Sequence, residues 1–128
     1  PAFGMDGKRD FGPIGLGKRS TVPVMRYGKI EAVGELDKVI IRRFLRRAHD
    51  SLMGCYKDQL VTKPAIGGDV RLQFTVDTEG RITTVEPSGF DPEVTRCVAR
   101  VIKAIELPKP DKGIVNVSTT LTFRPTGA

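Results

Sequence analysis

Two stretches of the chain alternate with the two-residue period of a strand. Val70, Leu72, Phe74 and Val76 interleave with Arg71, Gln73, Thr75 and Asp77, which predicts one buried and one wet face. Asp77-Thr78-Glu79-Gly80 follows as a turn, Gly80 being able to take a positive φ. Ile82 to Glu86 then returns as the second strand of a hairpin. Ile114 to Phe123 reads as a last strand, with Val115, Val117, Leu121 and Phe123 on one side and Asn116, Ser118, Thr120 and Thr122 on the other.

Two other stretches recur at three- and four-residue steps. Ile41, Leu45, Ala48, Leu52, Cys55 and Tyr56 form one stripe. Asp37 precedes it as an N-cap, and Leu36 and Ile41 occupy the positions of a hydrophobic staple. One long helix is predicted, which Pro64 prevents from continuing. Val94, Cys97, Val98, Val101, Ile102 and Ile105 form the second stripe, opened by Asp91-Pro92 and closed by Pro108 and Pro110.

The order helix, hairpin, helix, strand predicts an α+β domain: an antiparallel three-stranded sheet carrying two helices on one face. Val22 to Val33, interrupted by Pro23 and Gly28, adds an arm or a short edge strand. Residues 1–22 read as a flexible Gly-rich linker, 23–33 as the arm, 34–125 as the folded domain and 126–128 as a tail.

A length of 128 residues allows one domain, and no run of about 18 apolar residues is present to cross a membrane. The chain is read as a piece of a longer protein. Its net charge of +6 favours acidic partners. Arg42, Arg43, Arg46 and Arg47, with Lys38, make a basic face on the first helix. That face is either a solvated surface or a grip for phosphates or an acidic partner.

Catalytic chemistry finds no foothold. FGPIGLGKRS lacks Walker spacing and GxGxxG, and one histidine without CxxC does not make a zinc site. His49 reads as a surface histidine, and Cys55 lies on an apolar stripe rather than in the exposed setting a nucleophile needs. A non-enzymatic chain without cofactor or metal is expected. Cys55 and Cys97 both face the core, and two readings stay open: a bridge closing a loop of about 40 residues, or two buried free thiols.

GGDVRLQFTVDTEGRI, VEPSGFDPEVTRCVARVIKAIELPKP and a last strand ending TLTFRP together resemble the TonB C-terminal domain. Cys55-Tyr56 closing the first helix, with Cys97 in the second, is similar to the AgmX/PglI type found in myxobacterial envelope and gliding-motility proteins. The resemblance implies a periplasmic domain at the end of an inner-membrane-anchored protein, binding an outer-membrane or periplasmic protein. It implies that a partner segment pairs with the last strand, here Ile114, Val115, Asn116, Val117, Ser118, Thr119, Thr120, Leu121, Thr122 and Phe123. It also favours the Cys55–Cys97 bridge, since the periplasm permits disulfides. On that reading a proline at Thr119 abolishes binding without unfolding the domain, and nucleic acid is not the partner. Alternatives are a nucleic-acid module using the helix-one arginines, or an oligomerisation domain, a homodimer pairing through the edge strand.

Overall fold

The structure is a computed structural model and describes residues 22–126. The expected linker therefore lies outside the described residues, except for Val22. Five strands and three helices follow in the order β1 (Val24–Tyr27), β2 (Glu31–Val33), α1 (Lys38–Arg47), α2 (His49–Leu60), β3 (Gly68–Val76), β4 (Ile82–Gly89), α3 (Pro92–Lys103) and β5 (Val115–Arg124). The α+β class holds, with an antiparallel sheet of five strands rather than three.

The strand order is β1-β5-β3-β4, with β2 also on β5. The β3–β4 hairpin and the β3–β5 pairing run antiparallel in long registers, Phe74 lying opposite Val85 on one side and Val117 on the other. The stretch read as an arm splits into β1 and β2 at Gly28, and both halves pair with β5. Ile30 between them is fully buried, and the Thr119 hydroxyl donates to the Lys29 carbonyl at 3.1 Å.

The predicted first helix is two helices. Ala48 sits at φ −89°, ψ 7°, and its N–H turns back to the Leu45 carbonyl at 3.1 Å. Alanine is the best helix former, so no local preference makes this break. Burial of Ile41 and Leu45 on one segment, and of Leu52, Met53, Cys55 and Tyr56 on the other, goes with the redirected chain. Asp37 caps α1 by accepting from Val39 N–H, and Asp91 caps α3 by accepting from Glu93 and Val94 N–H. Pro92 stands at the start of α3, where its missing N–H costs nothing.

The helices bury one face of the sheet. Val70, Leu72, Phe74, Val76, Val115, Val117, Leu121 and Phe123 point into that core. Tyr56 closes it at one end, packed edge-on to Phe90 and against Phe123, its hydroxyl donating to the Ile66 carbonyl at 2.6 Å. Cys55 of α2 and Cys97 of α3 form a disulfide, with Cα atoms 5.6 Å apart. The two stripes expected to face one layer are thus joined covalently. The opposite sheet face is polar, with Thr75 donating to Asn116 at 3.0 Å and Thr122 to Asp69 at 2.7 Å across the strands.

Candidate functional site

The sheet has two outer boundaries and one of them is long. On the arm side the boundary consists of β1 and β2, four and three residues with a break between them. On the hairpin side it is β4, eight residues from Ile82 to Gly89. Only the approach to β4 is covered among the described residues: the backbone of Arg81 pairs with that of Glu106 in an isolated antiparallel bridge, and Leu107 N–H donates to the Gly80 carbonyl at 2.9 Å.

This corrects the expected partner-binding strand. β5 lies between β3 and the arm, so Val115, Asn116, Val117, Ser118, Thr119, Thr120, Leu121, Thr122 and Phe123 have no open edge. Ile114 lies just outside the strand and is exposed. Thr119 is 6% exposed and bonded to the arm. A proline there would remove a ladder N–H from the middle of the sheet and damage the fold itself. The physical reason for the change is Val24 to Val33, which has enough β-branched and apolar residues to cover the β5 edge.

The register tells which backbone groups of β4 face outward. Gly28 N–H donates to the Thr120 carbonyl at 2.8 Å, so Thr120 turns its backbone groups toward the arm. Successive residues of a strand aim these groups to opposite sides, so Thr119 turns to β3 and bonds with Leu72 opposite it. Leu72 then has none to give Pro87, its partner on the other side. Pro87 thus stands where its nitrogen faces the free edge, the place a sheet tolerates proline. Val85, two residues earlier, shares that orientation, and its N–H and C=O point outward.

Beside this edge runs α3. Val85, Arg96, Ala99, Arg100, Lys103 and Ala104 line a groove of about 560 Å³ between them. The apolar stripe of this helix does not reveal the groove, since it lies on the opposite, core-facing side. The signal for the groove was present as basic residues at 96, 100 and 103, spaced four and three apart on one helical face.

The basic face of α1 is present as expected. Arg42, Arg43, Arg46 and Arg47 are exposed and, with Val39, line a second shallow groove. None of the four pairs with a carboxylate among the described residues. Arg47 stacks over Phe44 at 4.6 Å and Arg46 over Tyr27 at 5.6 Å. His49 corrects its expected role: it is half-buried, and its Nδ1 lies 2.9 Å from the Tyr27 hydroxyl, linking β1 to the start of α2. Burial pushes the Tyr27 phenol above its ordinary pKa, with Arg46 pulling the other way.

Among the described residues no group of three or more His, Cys, Asp or Glu side chains is arranged to hold a metal ion. Nor, among them, is any helix long and apolar enough to cross a membrane. No protein-family model, curated protein or solved structure matches the chain.

Proposed function

We propose that the chain is a non-enzymatic protein-binding domain of the bacterial envelope, held in the periplasm by an inner-membrane-anchored parent and serving a gliding or force-transducing machine. Its partner is an outer-membrane or periplasmic protein that adds an extended segment to the sheet. The observation that carries this reading is the outer edge of β4, where Val85 presents an unclaimed N–H and C=O beside a groove. The Cys55–Cys97 disulfide supports an oxidising compartment. The resemblance of the sequence motifs to the TonB C-terminal domain supports the envelope assignment. Strand addition here moves the binding edge from the last strand to the hairpin.

The test is covalent capture in the native envelope, with a photo-crosslinking residue replacing Thr84. Val85→Pro removes the outward N–H while leaving the bonds of β4 to β3 in place. It is expected to abolish capture with a melting temperature within a few degrees of the parent. Val85→Ile is expected to retain capture. Undiminished capture by a folded Val85→Pro protein would overturn strand addition at β4.

A further inference from the structure

We infer that the segment received by β4 is acidic on the side that faces α3; this rests on the reading of β4 as a strand-addition edge. A strand laid along β4 sends every second side chain toward the helical face of the sheet. There it meets Arg96, Arg100 and Lys103, with Val85 as floor and Ala99 and Ala104 as low wall between the cations. The small alanines leave room for side chains arriving from the strand. The row is poorly neutralised: of the three cations only Arg96 meets a carboxylate among the described residues, Glu93 at 3.2 Å, and both of those groups are largely exposed. Carboxylates at alternate positions of the incoming segment would complement this row, while its backbone pairs with Val85.

Charge also decides against two other occupants. A second copy pairing β4 to β4 about a two-fold axis would bring one α3 row against the other, cation to cation. The chain's own leading segment carries Lys8, Arg9, Lys18 and Arg19 against Asp6 and Asp10, the wrong sign for this groove.

The experiment uses the full oxidised chain, labelled with ¹⁵N, and two acetylated octapeptides. One alternates valine with glutamate and the other valine with lysine. The glutamate peptide is expected to shift the amides of residues 82–86 and 96–104. In the Arg96→Gln/Arg100→Gln/Lys103→Gln protein its affinity is expected to fall about tenfold, the combined effect of three exposed ion pairs. The lysine peptide is expected to leave these amides unmoved. Equal binding of the two peptides at β4 would overturn the acidic preference and leave strand addition standing. Glutamate-peptide binding that survives Val85→Pro would overturn strand addition and this inference with it. Shifts confined to α1, or none with either peptide, would likewise overturn the inference.

Discussion

Lys63 Nζ lies 2.7 Å from Asp91 Oδ1, while Asp91 Oδ2 accepts from the Glu93 and Val94 N–H groups at 3.1 and 3.0 Å. One carboxylate therefore holds the turn after α2 to the start of α3. Asp91 is 5% exposed, and burial alone would raise its pKa. The hydrogen bond from Lys63, aided by those from the two backbone amides, instead holds it below the ordinary aspartate value.

A depressed folded-state pKa adds stability that is fully present above the unfolded value, near 4. That stability is lost as pH falls through the lower folded value. Asp91→Asn is expected to cost about 1–3 kcal/mol at pH 7, through the weakened cap and the lost ion pair between the buried carboxylate and the exposed Lys63 ammonium. The difference in melting temperature between parent and variant should narrow steadily below about pH 4. A difference that stays constant down to pH 2 would show that the carboxylate's charge is not what Asp91 contributes.

The bridge between Cys55 and Cys97 joins residues 42 apart in sequence. Constraining the unfolded chain over that loop stabilises by about 4 kcal/mol at most on the entropic model. Cys55→Ser/Cys97→Ser is expected to lose about 2–4 kcal/mol in denaturant unfolding. The parent protein, purified from an oxidising compartment, should show no reactive thiol in denaturant. Two reactive thiols there would mean that the bridge does not form.

Gly80 closes the β3–β4 turn at φ +88°, with Asp77 Oδ1 accepting from the Glu79 and Arg81 N–H groups at 2.9 Å each. A methyl built on Gly80 would run into the Leu107 carbonyl. Gly80→Ala therefore meets both a left-handed backbone and a steric block, and is expected to destabilise by more than about 1 kcal/mol. It should also disturb the strap from Glu106 to Leu107 that covers the start of β4. Hydrogen exchange at the Leu107 amide checks this: unchanged protection would separate the strap from the turn.

The turn shows how sequence and tertiary structure divide the work. Asp77 and Gly80 mark it by local rules, because an aspartate accepting from amides ahead and a glycine at positive φ are short-range effects. The demand that Leu107 makes on Gly80 comes from a residue 27 positions on and has no local mark. The candidate site behaves likewise. The charges at 96, 100 and 103 can be read from helical spacing, but the strand edge beside them cannot.

The alternating faces of β3 and β5, the caps at Asp37 and Asp91, and the two apolar stripes that carry Cys55 and Cys97 are all legible in the order of residues along the chain. These depend on interactions within about four residues, where period and side-chain chemistry act directly. The break at Ala48, the cover that β1 and β2 give β5, and the exposure of β4 as the long outer edge arise only when the whole chain packs. Those outcomes depend on pairing across long separations, as between Lys29 and Thr119. Any strand with a suitable apolar face can compete for an edge, so the winner is set by the burial of the whole core rather than by the residues at the edge itself.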